Sequence, residues 1–437
     1  MPIAFGTRTR VLAAATAAAT LIALAGCSNA GPDSAAGSGS GSQKVVLMNW
    51  EALKGSPLEP VLKQFTAETG IQVEYQFAAS GSDYWPKTRA VLGSNNPPDI
   101  MRIDDDFLPY YASTGKLQDL RDNVSAAGLK AGDYYDAVYN GTVQPDGSIP
   151  AWSLGIQPRV IFYNKTMFKE AGLPTPPTTW TGKGWTWDDF LTAAKKLTVK
   201  DKRWGADVVD DSPFETLYTV NNGGEGRWTK DGKGFALADP PGQEAVQWVA
   251  DLTCKHGVQP AWSELSQSGK GAEMFAAGQI GMIERSTSFI DYFRTNAKGF
   301  DWDIAPVPAG KADQITQGNQ LVFAIPKAAA NKDAAWKLMQ YLITADGADQ
   351  FAKAGSFVPG LKSSAKLAGK PTAGEPPASI SLVLAAADHS FRSGRVENIE
   401  EAISIYRPAL DPVKNCQAQA SDVLPKVKPD VLSTINP

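Results

Sequence analysis

Five short stretches of this chain set an aromatic ring, an amide or a guanidinium beside a hydrogen-bonding neighbour: Trp50-Glu51, Asp83-Tyr84-Trp85, Trp152-Ser153, Arg285-Ser286 and Asn319-Gln320. A sugar offers C–H patches on its ring faces and hydroxyls around its rim. A site for one therefore needs flat indole or phenol faces with Asp, Glu, Asn, Gln and Arg at the edges. These pairs fall at predicted strand ends and loops, where such a site would be built. A single Trp is more often core: Trp248 and Trp336, on helix faces, read as core, and Trp180, Trp185 and Trp187 as packing for their own loop.

A sixth stretch, Asp104-Asp105-Asp106, closes a predicted parallel strand, the end at which α/β folds hold ligands. Three uses compete for it. A glycosidase needs two carboxyls roughly 5–9 Å apart, which would require a second acid such as Glu51 or Glu284 to approach from elsewhere. Turn acids capping the next helix at Phe107 would need no ligand, and acceptance of sugar hydroxyls would need no catalysis. Binding fits the surrounding aromatics best. Other catalytic signatures fail: there is no G-x-S-x-G elbow, no H-E-x-x-H, no Walker loop and no C-x-x-C. With only His256 and His389, histidine-based catalysis and a zinc site have little material, and no metal or cofactor is expected.

The elements that would position these residues alternate. Residues 44–50 form a short apolar strand, and Leu58, Val61, Leu62 and Phe65 give the i, i+3, i+4, i+7 stripe of an amphipathic helix, which Gly70 stops. Ile71, Val73, Tyr75 and Phe77 alternate as a strand, a helix is predicted around 84–93, and 98–104 is a third strand. This order predicts an α/β fold with a mostly parallel sheet flanked by helices. Thr186 reads as an N-cap with Asp188 and Asp189 in the first turn. Helices follow near 242–256 and 332–344, with strands at 279–284 and 320–326. A last helical region, 397–434, is broken by Pro408, Pro412, Pro425 and Pro429. There is no internal repeat.

The N-terminus is of another kind. Arg8 and Arg10 precede an apolar run from Val11 to Gly26, short for a membrane span and suited to a signal peptide over 1–26. Leu24-Ala25-Gly26-Cys27 resembles the lipobox of bacterial lipoproteins, which implies lipidation of Cys27. Residues 27–43 are then the lipidated Cys and a flexible Gly/Ser/Ala tether, with a reach on the order of 20 Å. The chain is expected to be exported and held by lipid at the outer face of the cytoplasmic membrane. The formal net charge of −4 falls to −6 without the two arginines, and no basic block supports nucleic-acid binding. The remaining length of 411 residues suits two domains. Cys254 and Cys416 are left either as a disulfide in an oxidising compartment or as two buried thiols.

The chain resembles the solute-binding proteins of ATP-binding-cassette (ABC) importers, in the sugar-binding group that includes maltose-binding protein. The resemblance lies in "FTAETGIQVEY", "NNPPDIMRIDDDFLPYYASTGKLQDL", "IPAWSLGIQPRVIFYNKTMFKEAGLPTPPTTW", "MFAAGQIGMIE" and "WDIAPVPAG…LVFAIPKAAANKDAAWKLMQYLIT", spread over about 44–360. It implies a two-lobed periplasmic-binding-protein-like fold, each lobe a mostly parallel sheet flanked by helices, joined by a hinge crossed three times. Lobe one would be 44–150 plus 322–357 and lobe two 153–318 plus 360–437. Cys254 and Cys416 then share a lobe, which allows a disulfide. The implied action is hinge closure on a sugar and delivery to a transmembrane permease by a monomer that meets the membrane through its lipid anchor alone.

By position in the family pattern, the ligand-binding residues would be Trp50, Glu51, Tyr84, Asp104, Asp105, Trp152, Trp228, Arg285, Asn319, Gln320 and Phe357. Trp152 and Trp50 are expected to stack, Asp105 and Glu51 to accept hydroxyls, and Arg285 to donate. Three alternatives stay open: the same fold holding a polyamine, a peptide-like molecule or a phosphorylated polyol, with Arg285 and Arg392 on the phosphate; a binder that feeds a sensor; and a secreted glycoside-acting enzyme using Asp105 and Glu51.

Overall fold

A computed structural model describes residues 43–78, 84–144, 146–209, 214–267, 269–355, 357–370, 374–391 and 394–436. The expected signal segment, the lipidation site at Cys27 and all of the tether but Gln43 lie outside these residues, as do Asp83 and Arg392.

The opening alternation forms as its periodicities require. β1 (Lys44–Asn49) buries Val45, Leu47 and Met48. The helix Leu58–Thr69 buries the stripe Leu58, Val61, Leu62 and Phe65, and ends where Gly70 takes φ 72° and donates its N–H to Thr66 O. That left-handed φ suits a residue without Cβ. β2 (Gln72–Phe77) pairs parallel with β1 from Lys44↔Gln72 to Asn49↔Phe77. After the helix Tyr84–Leu92, β3 (Ile100–Asp104) joins β1 on its other side, also parallel.

The second half supplies β4 (Trp152–Asn164), β5 (Trp204–Asp207), β6 (Ile280–Ser286), β7 (Trp302–Ala305), β8 (Thr316–Ala324), β9 (Val358–Pro359) and β10 (Ser390–Phe391). The sheet path runs β2-β1-β3-β8-β4-β6-β5, with β7 and β9 on β4 and β10 on β8. Parallel pairing holds at the two ends, in β2-β1-β3 and in β5-β6, whereas β4 and β8 are antiparallel to each other and to the neighbours β3, β6, β7 and β9. β4 is buried along its whole length, as a strand covered on both faces must be.

β4 and β8 each serve both ends of the sheet. β8 pairs through Leu321–Ala324 with β3, and at Thr316–Gln317 with β10. β4 begins against β8 and finishes against β6 and β7. Between the two roles its register slips, at Ser153 to Ile156, and there β9 is laid on it through Gly155↔Pro359 and Ile156↔Val358. A Cβ on Gly155 would stand 2.1 Å from Val358 O, so only glycine lets these strands meet.

The C-terminal region differs from expectation in one respect. Pro408 falls in the final turn of the helix Ile399–Ala409 and Pro412 opens a short helix, but Pro425 and Pro429 lie inside one unbroken helix, Ala420–Ile435. Each proline removes a helical N–H. Burial of Leu424, Val431 and Ile435 in a core shared with Tyr406 and Val246 holds the helix together regardless. Cys254, the last residue of the helix Pro240–Cys254, is disulfide-bonded to Cys416, with Cα atoms 5.4 Å apart. No described helix is long and apolar enough to cross a membrane.

Candidate functional site

β1 and β3 pair in parallel at Leu47↔Ile100 and Met48↔Met101, an offset that, carried on, brings Trp50-Glu51, after β1, level with the Asp104-Asp105-Asp106 turn at the end of β3. The residue that organises them is Arg102, an arginine between the apolar residues Met101 and Ile103 of β3. Its guanidinium is 4.1 Å from the Trp50 ring centroid, and its Nη1 is 2.7 Å from Glu51 Oε1. Arg102 is almost wholly buried, while the Glu51 side chain keeps 37% of its exposure.

Two tyrosines fix the same turn. Tyr84, fully buried, stands edge-on to Trp50 at 4.9 Å and donates its hydroxyl to Arg102 O at 2.8 Å. The Tyr75 hydroxyl donates to Glu51 O at 2.6 Å. Burial raises the pKa of both phenols, so both remain neutral donors.

Asp104 folds the acidic turn itself: its Oδ1 accepts the Asp106 N–H at 2.9 Å, and its carbonyl accepts the Phe107 N–H at 3.1 Å. The turn-forming use thus coexists with a site. Burial first, and then the charges of Asp105 and Asp106, push the Asp104 carboxyl up to about 8. Asp105 is buried beside it. Asp106 pairs with Arg227, which is 1% exposed and also donates Nε–H to Thr216 Oγ1 at 3.2 Å. Burial opposes the charge on Arg227, but Asp106, Tyr406 and Glu215 outweigh it and raise its pKa. The contact joins the end of β3 to the segment after the helix Phe214–Asn221.

The other expected site residues are placed differently. Trp152, expected to stack on a ligand, is 1% exposed and packs edge-on against Tyr134 and Tyr139, at 5.2 and 5.7 Å. Trp228 follows Arg227 but is buried against Phe235 and Tyr406. Phe357 packs on Phe351 at 4.9 Å. Arg285, expected to donate to a ligand, is buried and gives Nη2 to Asp207 at 2.6 Å and Nη1 to Glu284 O at 2.6 Å. Asn319 pairs in register with Gln157, and Gln320 donates to Ala137 O, so both amides belong to the junction of β4 and β8. A recess of about 360 Å³ lies there, lined by Tyr135, Asp136, Ala137, Ile156, Lys362 and Asp388 among others.

The structure therefore brings together Trp50, Glu51, Tyr84 and the Asp104-Asp105-Asp106 turn, and adds three residues that were not expected in the site: Arg102, Tyr75 and Arg227. A charge set between the buried apolar residues of a strand has to find a partner, and that was the signal for Arg102. Among the described residues, no group of three or more His, Cys, Asp or Glu is arranged to hold a metal ion.

The sequence pattern of the family described as "Bacterial extracellular solute-binding protein" matches residues 50–349. The diacetylchitobiose binding protein DasA of Streptomyces coelicolor is 24% identical over 292 residues, 64% of this chain and 66% of that one. Among solved structures, an ABC substrate-binding protein from Listeria monocytogenes in complex with cycloalternan superposes with a TM-score of 0.81 at 20% identity, over 90% of this chain and 99% of that one. UgpB from Mycobacterium tuberculosis in complex with glycerophosphocholine gives 0.76 at 19% identity, over 91% and 99%. The fold is the two-lobed one of these binding proteins.

Proposed function

The chain belongs to the bacterial extracellular solute-binding proteins, and we propose that it captures a mono- or oligosaccharide between its lobes and delivers it to the permease of an ABC importer. The observation that carries this reading is the Trp50-Glu51 pair held on buried Arg102, level with the Asp104–Asp106 turn. It is an aromatic surface bordered by carboxylates at a strand end, the combination a polyhydroxylated ring requires. The sugar ligands named for similar proteins lend it support.

The lobes are 44–150 plus 322–357 and 153–318 plus 360–437, with the crossings where β4, β8 and β9 lie side by side. The Asp106–Arg227 pair joins one lobe to the other. Cys27 carries the lipid, and the tether keeps the monomer beside its permease on the outer face of the cytoplasmic membrane.

A phosphorylated ligand, as in UgpB, is less well supported. Arg102, Arg227 and Arg285 are each committed to a carboxylate, and the carboxylates around the site would repel a phosphate. Of the two acids the enzyme reading would use, Asp105 and Glu51, Glu51 is committed to Arg102, which favours binding over glycoside cleavage.

A thermal-shift panel of mono-, di- and oligosaccharides, with spermidine and glycerol 3-phosphate included, tests the ligand class. A ligand at a hundred times its Kd should stabilise the fold by about 2.7 kcal/mol, a rise of several degrees at about 2–4 °C per kcal/mol. A response to glycerol 3-phosphate or spermidine alone would overturn the sugar reading. Cys27→Ala should move the protein from the membrane fraction to the soluble one.

A further inference from the structure

Phe77 is the most exposed large apolar side chain among the described residues, at 57%, against 37% and 36% for Val199 and Tyr292. It closes β2, the strand at the edge of the sheet path. An aromatic ring on an open sheet edge invites unwanted association, and the core offers it nothing here.

Its surroundings are those of the site. Phe77 pairs in register with Asn49, and the following residue, Ala78, donates its N–H to Asn49 O at 2.9 Å, so β2 runs alongside β1 up to Trp50. Tyr75 reaches Glu51 O with its hydroxyl. Phe77 is two residues on, which by strand alternation puts its ring on the same face as Tyr75, about 6.6 Å nearer the strand end. β1 pairs with β3 at Leu47↔Ile100 and Met48↔Met101, and the same offset carried past the strand end sets Glu51 level with Asp104 on the other side of β1. From β3 to β2 is two strand spacings, about 10 Å, wider than one pyranose ring covers.

We infer that Phe77 is the stacking platform of an outer subsite, and that the ligand is a carbohydrate of at least two linked rings laid across the ends of β3, β1 and β2. This rests on the carbohydrate reading above. The inner ring lies against the Trp50-Glu51 and Asp104 groups, and the outer ring presents a C–H face to Phe77. An exposed phenyl ring suits that contact because it needs no desolvation of a polar group.

Calorimetric titration of the protein with glucose, maltose, maltotriose and N,N′-diacetylchitobiose, for the native sequence, Phe77→Ala and Phe77→Trp, tests this. One aromatic contact of about 0.5–1.5 kcal/mol predicts that Phe77→Ala weakens the di- or trisaccharide about 2- to 13-fold, that it leaves a monosaccharide unchanged, and that Phe77→Trp restores affinity. Equal weakening of every sugar, or none at all, overturns the outer subsite while leaving the sugar reading intact. So does a native protein that binds a monosaccharide and no longer chain. A native protein that binds none of the four, yet responds to glycerol 3-phosphate, overturns the carbohydrate reading and this inference with it. Circular-dichroism melting of both variants at the native temperature establishes that any loss is one of binding.

Discussion

The Arg102 guanidinium sits between the Trp50 indole, 4.1 Å from the ring centroid, and the Glu51 carboxylate, 2.7 Å away. The two ends of this ion pair are unequal. Glu51 keeps 37% of its side-chain exposure and can return to water, whereas Arg102 keeps 5% and cannot. Removing the partner of a buried charge costs about 3–5 kcal/mol, whereas an apolar replacement of the buried member leaves only a part-exposed carboxylate, which water can take up. Glu51→Ala is therefore expected to destabilise the protein by about 2–4 kcal/mol and Arg102→Met by less. Denaturant unfolding of both variants measures the order, and a larger loss for Arg102→Met would contradict it. Both should weaken sugar binding, Arg102→Met because it removes the guanidinium against the indole and Glu51→Ala because it removes a carboxylate from the site.

The Asp104 carboxyl titrates far above the ordinary carboxylate range, at about 8 in the folded protein, against about 3.9 unfolded. A raised folded pKa means that the native state holds the proton more tightly. The stability it contributes is fully present below about pH 4 and is lost as pH rises through about 8. Asp104→Asn keeps an oxygen for the Asp106 N–H but removes the titration. Its melting temperature should match the native protein at low pH and exceed it increasingly from pH 5 to 9. Parallel melting curves across that range would assign the pH dependence elsewhere.

What the sequence revealed and what it concealed divide along local and non-local lines. The stripe Leu58, Val61, Leu62, Phe65 and the stop at Gly70 are set within a few turns, and they fold as read. So does the Thr186 cap, whose side chain accepts the Asp189 N–H while Asp189 returns a bond. Trp50 and Trp152 are alike in sequence, each an indole beside a polar residue, yet one edges the site and the other is covered by Tyr134 and Tyr139. That difference depends on which element lies over each strand, which neither residue's neighbours specify. Arg285 looked available for the same reason: Asp207, on the adjoining β5, takes its charge. Glu51 and Arg102 are distant in sequence, as are Asp106 and Arg227, so only the folded chain pairs them.

Arg227 is 1% exposed, and its pair with Asp106 runs from the end of β3 to the opposite lobe of the proposed division. Asp106→Ala would leave a buried guanidinium with Thr216, Tyr406 and Glu215 but without its paired carboxylate. A loss of about 2–4 kcal/mol is expected, and Asp106→Ala/Arg227→Met should recover much of it. If the pair bridges the proposed lobes, Asp106→Ala should also reduce the contraction that a bound sugar produces in small-angle X-ray scattering. A double-mutant cycle with no coupling between the two positions would show that the pair contributes neither stability nor closure.

Gly155 is where β4 slips register and accepts β9, and its absent Cβ is what allows the approach: a methyl there would stand 2.1 Å from Val358 O and 2.9 Å from both Phe357 Cδ2 and Pro359 Cα. Two of those atoms are backbone, so a side-chain rotation cannot relieve the contact, and β9 would have to lift away. Losing the pairs Gly155↔Pro359 and Ile156↔Val358 would loosen one of the three proposed crossings. Gly155→Ala is expected to cost about 2–4 kcal/mol, in the range of disruptive core substitutions. It should also raise hydrogen exchange at the Gly360 N–H, which is bonded to Leu154 O at 2.8 Å. Because Trp50, Glu51 and Asp104 are untouched, any loss of sugar affinity in this variant would come through the hinge. Native stability together with unchanged exchange at Gly360 would mean that β9 yields without cost, and that the close approach at Gly155 does not set the hinge.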